Sequence, residues 1–207
     1  LIQNKSLELS LFLSLPAAIA LLLASEPIVS ALFGYGSFDE ISVENSSKAL
    51  FYFALGLPAF SLIKVFSSFY FARHNTKLPF YISLFSVLLN ILISIIFFKK
   101  VGFIIIPIAT TISSWINSIF LFIFLKKDNF FNFNSEFISK FFKILFSSIF
   151  MGTFIYYLII FFKTNLAYDQ SFKSIFLIGI VVAGFISYLL IAFFIKAFKI
   201  SDINLKY

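Results

Sequence analysis

The chain reads as an all-α, polytopic membrane protein, and three observations predict that fold class. Of its 207 residues 61% are hydrophobic and only 12% charged, with a mean hydropathy of +1.04. A water-soluble domain of this length would lack the polar surface needed to stay dissolved. The apolar residues fall into six runs, each near the ~20 residues that a helix needs to cross hydrocarbon. Basic residues gather between those runs. Helices are expected throughout, because an open strand leaves its backbone groups unpaired in lipid.

The six predicted spans are 7–33, 49–71, 78–98, 103–125, 141–162 and 175–198. Lysine and arginine set their orientation through the positive-inside rule. With the N-terminus in the cytoplasm, Lys5, Arg73, Lys77, Lys126, Lys127, Lys140, Lys143, Lys196, Lys199 and Lys206 lie inside. Lys48, Lys99, Lys100, Lys163 and Lys173 lie outside, with the acidic loop of Asp39, Glu40 and Glu44. Both ends are therefore expected in the cytoplasm. The connection from Lys126 to about Lys140 reads as the longest, dividing four spans rich in Pro, Ser, Thr and Asn from two plainer ones. The chain opens on Leu1 without an initiator Met, and its first apolar run is too long for a signal peptide. It is expected to be the C-terminal portion of a longer protein.

Several function classes are disfavoured. The absence of cysteine removes disulfides and thiolate metal sites. The net charge of +7 could suggest nucleic acid, but the basic residues sit in short loops where topology accounts for them, so no nucleic-acid partner is expected. The 34 Phe suit lipid-facing positions. No Ser/His/Asp set, Walker-type loop or HExxH motif occurs, and Glu8 and Glu26 lie near opposite membrane faces, so no enzyme is indicated. His74 reads as a solvated residue of a cytoplasmic turn.

One charge falls inside a span. Lys64 stands nine residues before Arg73, or ~13 Å along a helix, farther than a lysine stem recovers by snorkelling. A cation at membrane depth costs at least ~2.5–3.5 kcal/mol, so function is the default reading. Ser61, Lys64 and Ser67/Ser68 share a face of the second span. Ser83, Ser86, Asn90 and Ser94 do so on the third, and Thr110, Ser113/Ser114 and Asn117 on the fourth. Two readings account for these stripes. Small and hydroxyl residues form ordinary packing surfaces between membrane helices. Alternatively they wall a hydrated cavity, which Lys64 favours because packing requires no cation. Asn90, Ser94 and Thr110, with carbonyls loosened by Pro107, also offer oxygen ligands of the kind a small cation takes, although no carboxylate joins them. In the last two spans, Ser148 with Gly152, and Gly179, Ala183 and Ser187, have the spacing of helix–helix contacts.

Three stretches carry a family resemblance: LPAAIALLLASEPIVSALFGYGSF, GLPAFSLIKVFSSFYFARHNTKLP, and IATTISSWINSIFLFIFLKK preceded by Asn90. Together they cover residues 7–127, and the pattern resembles the MurJ/MviN family of lipid II flippases within the multidrug/oligosaccharidyl-lipid/polysaccharide exporter superfamily. The last 80 residues match only in hydropathy and position. The resemblance implies a two-lobe fold of fourteen helices, in which 1–127 supplies the last four helices of the second lobe and 128–207 an additional pair with a cytoplasmic tail. It implies alternating access that carries lipid II, an undecaprenyl-pyrophosphate-linked peptidoglycan precursor, to the outer leaflet of the bacterial inner membrane. Its partners would be lipid II, membrane lipids and the N-terminal lobe of the same protein, with a lipid-tail groove beside the additional helices. Lys64 matches the family's lysine in this helix, and Arg73 and Lys77 match its basic turn, so substrate binding is expected at Lys64, Arg73, Lys77, Ser61 and Ser68. Beyond a coupling monovalent cation, suggested for some members near Asn90 and Thr110, no cofactor is implied. Ser94 stands where a carboxylate can occur, which leaves that site incomplete. The alternatives are an exporter of drugs or other polyprenyl-linked oligosaccharides, and a non-transporting scaffold of envelope assembly.

Overall fold

A computed structural model describes residues 2–132 and 134–197. They form six α-helices: α1 (Ile2–Phe33), α2 (Glu40–Phe71), α3 (Lys77–Val101), α4 (Ile105–Lys127), α5 (Ser135–Phe161) and α6 (Lys173–Phe194). Among the described residues five helical stretches are long and apolar enough to cross a membrane. One of them, Lys77–Lys127, comprises α3 and α4, joined by a single 3-10 turn at Gly102–Ile104. Gly102 has φ +73°, which an L side chain rarely adopts, and it turns the chain there. Asn90 meets Thr110, Ser83 meets Asn117 and Phe85 meets Phe120, each pair centred near Gly102. The stretch is thus an antiparallel hairpin of two helices, as the sequence predicted.

The helices lie in the spatial order α3, α4, α2, α1, α5, α6, with α1 also reaching α6. α2 and α3 barely touch although they are consecutive, because α4 lies between them. Leu11, Phe66, Tyr70, Leu121 and Phe137 form one buried cluster near the N-terminal end of α1, and Phe12, Ile144, Met151, Ile180 and Tyr188 a second between α1, α5 and α6.

Several boundaries differ from the sequence expectation. The acidic loop is largely helical: Asp39 caps α2 by accepting from the Ser42 amide at 2.8 Å, and Glu40 occupies the first turn, where the helix dipole favours negative charge. The Ser42 hydrogen bonds hold the Asp39 carboxyl below the usual aspartate range. α5 starts at Ser135, capped by Asn134, so the connection after α4 is shorter than expected and the longest described one is 162–172. Pro107 sits in the first turn of α4, where an amide would lack a helical acceptor anyway, so it loosens no carbonyl. The end of the sixth predicted span, Lys199, Lys206 and the tail lie outside the described residues.

Inside α1, Pro16 shows how a carbonyl released by proline can find another donor. Pro16 offers no N–H to the Phe12 carbonyl, which instead accepts from the buried Tyr188 hydroxyl of α6 at 2.7 Å. In the turns before Pro58, α4 donates to two α2 carbonyls, Thr111 to that of Tyr52 at 2.6 Å and Trp115 to that of Leu55 at 3.0 Å, neither of them the Ala54 carbonyl that Pro58 releases. Small residues set the closest approaches. A Cβ on Gly152 would lie 2.5 Å from Ile19 of α1, and one on Gly184 would lie 2.6 Å from Ile155. Gly179, expected in a helix–helix contact, would meet nothing within 4 Å, and Gly184 provides the close approach on α6 instead.

Candidate functional site

The face of α2 that carries Lys64 continues through Ser67, Ser68 and Phe71 towards the end of the helix. Lys64 is exposed, and no hydrogen bond or ion pair joins it to any other described residue. It sits ~10 Å by helical rise from Phe71, about two turns inside α2. Where α2 ends and α3 begins, the gap between them opens as a cleft of ≈ 550 Å³. Ser67 and Phe71 form its α2 wall, while Lys77, Phe80, Tyr81 and Ser83 contribute from α3. Lys64 lies one turn from Ser67 on the same side, so two ammonium groups attend this face, at its mouth and farther along the helix.

The expected binding residues separate in the structure. Lys64 and Lys77 remain free to engage an anion. Ser68 lies beside them but donates to the Val65 carbonyl at 2.7 Å. Ser61 points to α1, where its hydroxyl pairs with the Ser10 hydroxyl and approaches the Ser10 carbonyl at 3.5 Å. Arg73 is a clasp: it donates to the Phe69 carbonyl at 2.7 Å and the Phe130 carbonyl at 3.2 Å, and its guanidinium lies 4.4 Å from the centre of the Phe130 ring. That geometry fastens the α2 turn to the connection after α4.

Asn90, Ser94 and Thr110 do converge. Ser94 donates to the Asn90 side-chain carbonyl at 3.2 Å, Asn90 donates to Thr110 at 3.1 Å, and Thr110 donates to the Ile106 carbonyl at 2.8 Å. Each group spends its donor on the next, which closes a relay between α3 and α4. Among the described residues no carboxylate joins it and no cluster of His, Cys, Asp or Glu could hold a metal. The relay by itself does not fit a bound cation, which needs oxygens released from such bonds and some negative charge. The Ser83–Asn117 contact at 3.5 Å joins α3 to α4, and the Ser86 hydroxyl donates to the Ile82 carbonyl within α3 at 2.9 Å.

Three buried charges escaped the sequence reading. Lys140 pairs with Glu8 at 2.9 Å and with Glu136 at 3.2 Å, joining α5 to α1. Lys173 is only 1% exposed. Its ammonium donates to the Gly34 and Tyr168 carbonyls, each at 2.7 Å, and lies 4.4 and 4.6 Å from the Tyr35 and Tyr168 ring centres. Gly34 permits this approach, since a Cβ there would sit 3.2 Å from that ammonium and 2.6 Å from the Ser30 carbonyl. Counting all three of Glu8, Lys140 and Lys173 as loop or end charges hid their distant partners, which lie on another helix for Glu8 and Lys140 and in the turn after α1 for Lys173. The aromatic residues near Gly34 and Lys173 were the available signal.

A family model described as "Lipid II flippase MurJ" matches residues 1–178. The chain belongs to the MurJ lipid II flippase family. It is 32% identical over 205 residues to a probable lipid II flippase MurJ of Rhizobium meliloti, covering 98% of this chain and 38% of that protein. It is 36% identical over 195 residues to a probable lipid II flippase MurJ of Thermotoga maritima, covering 94% and 37% respectively. Among solved structures, a lipid II flippase MurJ in an inward closed conformation superposes with a TM-score of 0.76 at 30% identity, over 94% of this chain and 38% of that one. The chain therefore spans less than two fifths of the MurJ proteins it matches, and it is a multi-pass membrane segment of a transporter family.

Proposed function

We propose that the protein to which this chain contributes moves lipid II from the cytoplasmic to the outer leaflet of the bacterial inner membrane by alternating access. In this reading α1 to α4 are the last four helices of the second lobe, α5 and α6 the additional pair, and both ends of the chain face the cytoplasm. The observation that carries the site is Lys64: an exposed intramembrane cation with no partner among the described residues, on a face that leads to the Lys77 cleft. A pyrophosphate carries the negative charge that such a cation lacks. Anionic headgroup and ammonium each lose water as they meet, so their attraction exceeds what the same pair would gain in bulk solvent. Lys77 would meet the headgroup at the cleft mouth and Lys64 would hold it deeper along α2. Arg73 fixes the turn between them and acts by positioning. Any coupling cation would take its charge-compensating ligand from outside Asn90, Ser94 and Thr110.

The test is Lys64→Ala in the full-length protein. Expected is normal membrane insertion with loss of rescue in cells depleted of their own flippase, and at least partial rescue by Lys64→Arg. Full rescue by Lys64→Ala would remove the lysine from the mechanism. Failure of the wild-type protein to rescue despite normal insertion would count against lipid II as the substrate.

A further inference from the structure

A second cavity, of ≈ 410 Å³, opens between α4 and α5. These two helices follow one another in the chain but have no packed interface, since α4 rests on α2 and α5 on α1. The cavity is the groove left between them. Leu7, Leu11 and Leu15 of α1 and Pro58, Leu62 and Phe66 of α2 form its floor, and the spacing of each set puts it on one face of its helix. Lys64 stands two residues from both Leu62 and Phe66, so it lies on the opposite face of α2 and the groove is no part of the Lys64 site.

The lining selects the occupant. It presents almost no polar surface: Ser118 is buried, and the Trp115 indole N–H is spent on the Leu55 carbonyl. Water has nothing to bond there. Leu7, Leu11 and Phe66 on the floor are buried, while Ile119 and Ile138 on the two rims are 49% and 48% exposed, so the groove is a deep furrow with one open side. Its floor extends over eight residues of α1, or ~12 Å, and the volume then corresponds to a channel ~6–7 Å across. Such a channel admits one hydrocarbon chain and is too narrow for a helix, which with its side chains is ~10–12 Å wide.

A charge stands at one end of the furrow. Trp115, Ile119 and Phe122 form the α4 wall, and the same stripe continues one turn on to Lys126. Lys126 is exposed, and no hydrogen bond or ion pair joins it to another described residue. Glu8 and Glu136, at this end of α1 and α5, are both engaged by Lys140, and Asp128 lies two residues beyond Lys126, round on the far side of the helix end. An apolar channel of acyl-chain width thus leads to an uncommitted ammonium where the apolar span ends. We propose that the groove seats one acyl chain of an anionic bilayer phospholipid, its phosphate on Lys126 and its chain running past Phe122 and Ile119 towards Trp115. A cation at the membrane surface attracts an anionic headgroup and discriminates against a zwitterionic one. The seat is separate from the Lys64 face, and its occupancy does not depend on lipid II being the transported substrate.

Trp115 is the single tryptophan of the chain, and it lines the groove, so its fluorescence tests the proposal. The full-length protein is reconstituted into phosphatidylcholine vesicles that contain either phosphatidylglycerol or phosphatidylcholine brominated on the acyl chains, and the Trp115 signal is taken as the difference from Trp115→Phe. Expected is quenching about three- to fivefold stronger by the brominated phosphatidylglycerol at equal mole fraction, the preference that one interfacial cation gives an anionic lipid. Lys126→Gln should remove that preference, whereas Lys127→Gln, ~100° round the helix, should keep it. Both lysines are exposed at the end of α4, so neither substitution disturbs the core. Trp115 shielded from both lipids would show that another part of the full-length protein covers the groove, and equal quenching by both would show unselective solvation. A preference retained in Lys126→Gln, or lost equally in Lys127→Gln, would place the anion elsewhere. Each of these results would overturn the proposal.

Discussion

The Glu8–Lys140 pair sets a quantitative test of what joins α5 to α1. Both residues are 8% exposed, and their charged atoms lie 2.9 Å apart. Ion pairs in water contribute ~0–1 kcal/mol, whereas removing one partner of a buried pair costs ~3–5 kcal/mol because the other charge is left stranded. The two sides of this pair are unequal. Lys140→Met strands Glu8, which pairs with no other cation among the described residues, and should cost about 3–5 kcal/mol. Glu8→Leu leaves Lys140 with Glu136 at 3.2 Å, a partner whose side chain is 67% exposed, and should cost about 1–3 kcal/mol. The double variant strands no charge and replaces the pair by apolar groups of similar size, which is commonly close to neutral. It should recover to within about 1 kcal/mol of wild type, giving a large favourable coupling between the two sites. The assay is unfolding of the full-length protein by SDS in mixed micelles, followed by helical circular dichroism. A double variant that loses the sum of the single losses would refute the argument. It would mean that the two side chains act independently, through packing of their stems.

Three other changes test the packing assigned above. Tyr188→Phe keeps the ring 5.1 Å from Phe12 but removes the donor to the Phe12 carbonyl, so stability in the same assay should fall by about 1–3 kcal/mol; an unchanged midpoint would show that the carbonyl released by Pro16 has another partner. Gly152→Val places a branched side chain where a Cβ alone already lies 2.5 Å from Ile19, and should cost about 1–3 kcal/mol by overpacking, while Gly179→Val, in open space, should cost little. Reversal of that order would contradict the α1–α5 and α5–α6 interfaces. Lys173→Met leaves the Gly34 and Tyr168 carbonyls without their donor and should accelerate proteolysis of the 162–172 connection in the folded protein; protection equal to wild type would show that the ammonium is not what holds that segment.

The helices were legible because a bilayer imposes their length and their composition. Even the merged stretch Lys77–Lys127 divides where Lys99, Lys100 and Gly102 interrupt the apolar run. Helix starts were harder to place, since hydropathy registers the membrane and not the hydrogen-bonded turn. Polar first turns such as Glu40–Lys48 therefore read as loop, although Asp39 and Asn134 are recognisable caps once their bonds to Ser42 and Phe137 are seen. Site residues were legible by type and not by role. Periodicity puts Ser61 and Lys64 on neighbouring positions of one helix, but only the packing order turns Ser61 towards α1 and leaves Lys64 uncovered. Arg73 and Lys77 look alike in sequence for the same reason. What separates them is the Phe130 carbonyl, 57 residues away in the chain.

The division between satisfied and unsatisfied groups has a consequence for where this segment can do work. Lys140 and Lys173 are buried, and each is held by several acceptors, so moving either would strand charge in a medium that penalises it heavily. These contacts brace α1 against α5 at one end and the connection to α6 at the other, which makes α1, α5 and α6 a unit that resists rearrangement. Lys64 has no such restraint, and α2 and α3 touch too little to close the cleft beside it. A transported anion that met Lys64 would gain its attraction without first breaking an internal ion pair. Replacing Lys64 should therefore alter handling of the anion with little loss of fold stability, whereas replacing Lys140 should do the reverse. Equal loss of stability in the two variants would mean that Lys64 has a partner that spans the open face of α2.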